Sequence, residues 1–237
     1  MNGIPEQWRA LEERVARACG VVGRDPASVR VLAAVKTQDP ERIAEVLACG
    51  ARLLGHNRAQ EMADVVPRVR ALWPGDFENH FIGALQTNKV NQVMRYVTCV
   101  QSVDRLDLAG KLSRAAAREG RVLDVFVEVN SSGEETKAGV TPDGAVALCG
   151  AVAALEGLRL RGLMTVGANS PDLDLVRESH ELLARLSADV TSSGLPGTSG
   201  AGELSMGMSR DLEVAIAAGA TMVRVGTALF GARRPAV

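Results

Sequence analysis

The chain has 237 residues, 46% hydrophobic and 23% charged, an ordinary globular composition that argues against disorder along its length. Its 27 Lys+Arg against 28 Asp+Glu leave a formal net charge of −1, and aromatics are 3% with a single Tyr. Those values remove the electrostatic and stacking arguments for a nucleic-acid or anionic-membrane partner. Cys19, Cys49, Cys99 and Cys149 form no C-x-x-C pair, and His56, His80 and His180 lack zinc spacing, so buried thiols and no metal are expected. The N-terminus has no signal-peptide core, and no apolar run approaches a membrane span. A cytoplasmic location is the expectation.

Short apolar runs rich in β-branched residues recur, each followed by a stretch of helical period. An amphipathic helix over Pro5–Gly20 comes first. Strand one is expected at Val29–Val35, followed by a helix that Asp39 caps, Pro40 opens and Gly50 ends. Strands at Ala51–Gly55, His80–Gly83 and Val97–Gln101 precede a helix from an Asp104 cap through Glu119. Val122–Val129 is the fifth strand, and Thr141-Pro142-Asp143 opens the helix through Leu155. Leu158–Met164 is the sixth strand, and a long helix runs from Asp172 to about Val190. Glu203–Met206, a helix over Ser209–Ala218 and a last strand at Met222–Val225 complete the series.

Eight strand–helix units in ~240 residues imply parallel strands joined by crossovers and match a (β/α)8 TIM-type barrel. The expectation is an α/β chain whose single domain covers residues 1–237, with an extra N-terminal helix. The rival doubly wound sheet carries a Gly-rich fingerprint after strand one, where this chain has Val35-Lys36-Thr37.

Barrel active sites lie at the C-terminal strand ends. Lys36 leaves an apolar strand there, and partial desolvation frees the neutral amine that a Schiff-base lysine needs. A lysine snorkelling to water is the bland alternative. After strands seven and eight, where such barrels bind phosphate, Gly207 and Gly226 allow close backbone approach, and Ser205, Ser209 and Thr227 offer hydroxyls. Turns and helix caps explain the same residues without a ligand. Strand-one lysine and phosphate cradle together point to pyridoxal 5′-phosphate (PLP).

The motifs AVKT (34–37), GHNRAQE (55–61), HFIGALQTNK (80–89), QSVD (101–104), VNSSGEETKAGV (129–140), GLMT (162–165), LSMGMSRD (204–211) and VRVGTALFG (223–231) stand in order at the strand ends. In this the chain resembles the PLP homeostasis (PLP-binding) protein family, single-barrel relatives of the alanine racemase N-terminal domain. The resemblance implies that Lys36 forms the Schiff base and that Ser205, Gly226 and Thr227 bind phosphate, with Met206 and Gly207 beside them. It further implies Arg224 near the pyridine ring, Asn57 lining the cofactor, and His80 and Gly83 at the pocket. Two positions depart from the family pattern: His56 and Arg58 flank Asn57 in place of Glu and Tyr, and Asn79 precedes His80 where Trp is frequent.

His180 reads as a helix-surface residue and Glu134-Glu135 as solvated charge. The expected function is a PLP carrier acting in PLP homeostasis, passing cofactor to PLP-dependent apo-enzymes with little or no catalysis, as a monomer. A PLP-dependent racemase is the alternative. Racemisation needs a base on each face of the substrate carbon, and no C-terminal β domain that would bring a tyrosine is expected here. Strand alternation puts Arg224 on the same face as Gly226. A guanidinium there can only donate, which leaves the ring nitrogen unprotonated and the electron sink weak. Pairing of Arg224 with phosphate or with Glu203 is the competing expectation. A PLP-independent barrel enzyme acting on a phosphorylated metabolite explains the cradle but leaves Lys36 unused.

Overall fold

Strand alternation in this chain sorts side chains into two layers, and the computed structural model, which describes residues 3–231, shows both. The strands are β1 (Arg30–Ala34), β2 (Leu53–His56), β3 (Glu78–Phe81), β4 (Cys99–Val103), β5 (Leu123–Glu128), β6 (Leu158–Met164), β7 (Glu203–Ser205) and β8 (Met222–Val225). All pair in parallel and in chain order, and β8 returns to β1 through Arg30↔Met222 and Leu32↔Arg224, closing an eight-stranded barrel. Inward positions Leu32, Leu53, Cys99, Phe126, Met164 and Met222 pack into one small core. Their neighbours Ala33, Leu54, Val100, Val125, Leu163 and Val223 face the other way and join the larger core under the helices.

That outer layer consists of α1 (Ile4–Val21), α2 (Pro40–Ala48), α3 (Ala59–Leu72), α4 (Val90–Met94), α5 (Leu106–Arg118), α6 (Pro142–Ala153), α7 (Leu173–Ser192), α8 (Leu212–Ala217) and α9 (Thr227–Phe230). Ile4, Trp8, Leu11, Val15 and Cys19 form the buried stripe of α1, which packs on α2, α8 and α9. Arg14 fastens it further, with Nε 2.5 Å and Nη2 2.6 Å from the two carboxylate oxygens of Glu213. The elements follow the sequence expectation with shifted ends. Helix α5 is capped by Arg105 rather than Asp104, and α8 begins at Leu212 because residues 209–211 turn first.

Charge closes the N-terminal end of the barrel. Glu203 pairs with Arg30 and Arg161, and Arg159 grips Asp124 at 2.5 and 2.9 Å. Glu203 is thus engaged at the base, which answers the expectation that it pairs with Arg224. Among the described residues no helix is long and apolar enough to cross a membrane, and no group of His, Cys, Asp or Glu could hold a metal. The four cysteines are free thiols; Cys19, Cys99 and Cys149 are buried.

Candidate functional site

The C-terminal strand ends converge on one mouth. Val35 extends the β1 ladder with a hydrogen bond from its N–H to the Gly55 carbonyl, delivering the half-buried Lys36 to the rim. The next residue, Thr37, holds φ 61°, a conformation a β-branched side chain rarely adopts, so the chain turns abruptly just after the lysine. Lys36 and Asn57 both line a cavity of about 200 Å³ at this rim. Asn57 Oδ1 is buried and has no hydrogen-bond partner among the described residues. Behind it Gly83 touches the Asn57 backbone: a Cβ there would sit 2.2 Å from the Asn57 carbonyl oxygen, so only glycine allows the two strand ends to meet.

On the side of the mouth adjoining β1, β8 and then β7 supply a fixed cation beside a tight loop. Arg224 is buried, and its guanidinium donates from Nη1 to the Ser205 carbonyl (2.6 Å) and Oγ (2.9 Å) and from Nη2 to the Thr165 carbonyl (2.6 Å). Burial lowers its pKa to about 10, while Glu128 and Asp211 act to raise it, so it stays protonated at neutral pH. Gly207 turns the chain after β7 with φ 86°, and a Cβ there would lie 2.4 Å from that of Ala215. The following loop is held from inside. Asp211 Oδ1 accepts the Met208 N–H at 2.7 Å, and its Oδ2 accepts from His180 Nε2 at 2.9 Å. Ser209 Oγ accepts the N–H of Ala228 in the first turn of α9, joining the two loops.

One residue stands elsewhere than expected. His180 is fully buried on α7, contrary to the surface reading. Its spacing from Val176 and Leu183 on the buried stripe of α7 already carried that signal. The Ser205 hydroxyl, fully buried, donates to Gln101 Oε1 at 2.6 Å and accepts from Arg224. His80 lies within the barrel, bonded to Gln101 and Glu78. Met206 packs in the outer core. Gly226 and Thr227 do reach the rim, as half-buried and exposed residues. Glu128 joins the site beyond the residues that the sequence motifs point to: it ends β5 almost fully buried, and burial, with help from Asp104, lifts its pKa to about 7 against the opposing pull of Arg224. Alternation with Phe126 marked it as inward-facing. Glu134 pairs with Lys137 at 2.6 Å in the loop after β5.

Residues 8–234 match the family model described as alanine racemase, N-terminal domain. A pyridoxal phosphate homeostasis protein of Aquifex aeolicus is 40% identical over 237 residues, covering 99% of this chain and 100% of its own. The chain belongs to the pyridoxal phosphate homeostasis protein family. PipY of Synechococcus elongatus, solved with PLP bound, superposes with a TM-score of 0.78 at 29% identity over 92% of this chain and all of its own. An unknown protein from Bifidobacterium adolescentis reaches a TM-score of 0.93 at 39% identity, covering 96% and 94% of the two chains. The two positions that the resemblance set apart meet in space: His56 Nε2 and Asn79 Oδ1 lie 2.9 Å apart, and Asn79 Nδ2 donates to the Tyr96 carbonyl. Each side chain satisfies the other. Burial lowers the His56 pKa to about 4, the Asn79 bond resisting, so the ring is neutral and structural.

Proposed function

We propose that this protein binds PLP as a Schiff base on Lys36 and serves intracellular PLP homeostasis, buffering and delivering the cofactor with little or no catalysis. The observation that carries the reading is the juxtaposition of Lys36 and Asn57 at one rim with Arg224 and the Ser209, Gly226 and Thr227 loops of β7 and β8, the strands that follow one another round to β1. The site fits the cofactor's chemistry. The Asn57 oxygen lacks an internal partner, Arg224 supplies a permanent cation, and the strand-seven and strand-eight loops supply hydroxyls and backbone amides. When bound, PLP supplies a reactive aldehyde and, in enzymes, an electron sink.

The protein's residues then divide the work. The Lys36 amine would hold the cofactor covalently. Ser209, Gly226 and Thr227 would hold the phosphate, with His180 and Asp211 fixing the loop that carries Ser209. Ser205 would act through Arg224, because its hydroxyl is already engaged twice. Arg224 can only donate toward the ring nitrogen and would keep it unprotonated, which disfavours carbanion chemistry. The lone tyrosine, Tyr96, precedes β4 at the opposite end of the barrel and would not serve as a second base. Absorption spectra with and without added PLP, followed by borohydride reduction and peptide mapping, test the reading: the label should fall on Lys36. Label elsewhere, or no visible band, sinks it.

A further inference from the structure

Inside the barrel the polar residues are joined. Arg224 Nη1 donates to Ser205 Oγ at 2.9 Å, and the Ser205 hydroxyl donates to Gln101 Oε1 at 2.6 Å. Gln101 Nε2 lies 2.7 Å from His80 Nδ1, and His80 Nε2 lies 3.2 Å from Glu78 Oε2. The three middle members are at most 2% exposed. Glu78 is half-exposed and lines a cleft of about 520 Å³, shared with Trp8, Arg30 and Arg52, at the opposite end of the barrel from Lys36.

The donor assignments permit one direction. A carboxylate accepts, so His80 Nε2 carries the hydrogen and Nδ1 accepts from the Gln101 amide. Gln101 Oε1 is then left for the Ser205 hydroxyl, and Ser205 Oγ accepts from Arg224. With the Gln101 amide reversed, the serine hydroxyl would lose its acceptor and His80 would need both protons. Every hydrogen therefore points away from Arg224 and toward Glu78, from a cation to an anion. Such chains polarise along their length. Among the described residues the hydrogen-bond partners of the Arg224 guanidinium are a hydroxyl and two carbonyls, and through the hydroxyl this row of aligned dipoles turns electron density toward it.

We infer that Glu78, His80, Gln101 and Ser205 form a directional hydrogen-bond chain that positions Arg224 from the base of the barrel and thereby tunes how tightly the cofactor is held. This rests on the reading that Arg224 faces the cofactor ring. Glu78, His80 and Gln101 are positioning residues that act through Ser205, and Glu78 exposes the chain's distal end to water and to whatever enters the basal cleft.

The test uses the intact chain in both forms. In the apo protein, nitrogen NMR of the His80 ring should show the proton on Nε2 and a bare Nδ1; the reverse tautomer overturns the inference. In the PLP-loaded protein, Gln101→Met keeps volume but severs the chain. Release of PLP to an excess of an apo-enzyme acceptor should become about 3- to 10-fold faster, the scale of one neutral hydrogen bond, and the Schiff-base band should shift. Glu78→Gln, a surface change that keeps an acceptor but removes the charge, should move the His80 nitrogen shifts and speed release less. Arg224→Met is the control. If it changes band and release while Gln101→Met and Glu78→Gln change neither, the chain is only structural and the inference fails. If Arg224→Met itself changes neither, the reading of Arg224 fails and takes the inference with it.

Discussion

Glu128 offers a sharp test of the electrostatics at the mouth. Its carboxyl ends β5 almost fully buried, with burial, then Asp104, lifting its pKa to about 7 from an ordinary 4.5. A carboxyl with a raised folded-state pKa costs nothing below the unfolded value, where both states are protonated. The cost grows as pH rises through the window from 4.5 to about 7 and is complete above it. At roughly 1.36 kcal/mol per unit, the full penalty is about 3 kcal/mol. Glu128→Gln replaces the carboxylate with a neutral isostere and removes that penalty. In the apo protein, urea unfolding at pH 5 should give stabilities within about 1 kcal/mol of each other for variant and wild type. At pH 8 the variant should be more stable by up to about 3 kcal/mol. His56 titrates with the opposite sign, since a buried neutral ring loses stability as pH falls from 6.5 toward about 4, but it is present in both proteins and cancels in the difference. A wild-type–variant gap equal at pH 5 and pH 8 would refute the argument, because it would mean that Glu128 is ionised in both folded and unfolded chains at both pH values.

Lys36→Ala should abolish the Schiff-base band while leaving the circular dichroism and melting temperature close to wild type; a persisting band moves the attachment elsewhere. Ser209→Ala should weaken PLP about 10- to 100-fold while scarcely touching pyridoxal, as expected for a hydroxyl bonded to a charged phosphate. Ser205→Ala should affect both ligands alike, and a loss confined to PLP would return Ser205 to the phosphate. His56→Ala strands the buried Asn79 oxygen and should cost about 1–3 kcal/mol in urea unfolding; an unchanged stability would show that the His56–Asn79 bond contributes nothing. Racemisation of alanine by the wild type should be undetectable by chiral chromatography; steady turnover would make the protein an enzyme.

The sequence alone determined the (β/α)8 barrel, since strand and helix periodicities, capping residues and glycine stops are local properties that a one-dimensional pattern carries. It also determined that Lys36, Asn57, Gly83, Gly226 and Thr227 lie at strand ends, because in a parallel barrel the strand's direction decides which end faces the mouth. Two further positions are legible in the same periodicities: the buried stripe of α7 contains His180, and alternation along β5 turns Glu128 inward. What only the tertiary structure decided is which polar groups meet. Ser205 and Gln101 are 104 residues apart, His180 and Asp211 31, and His56 and Asn79 23; each pair was brought within hydrogen-bond reach by strand register and helix docking. A hydroxyl at a strand end looks the same in sequence whether it faces a phosphate or a neighbouring amide. The partner is chosen by the stagger of the closed sheet, a property of all eight strands together and of no single segment.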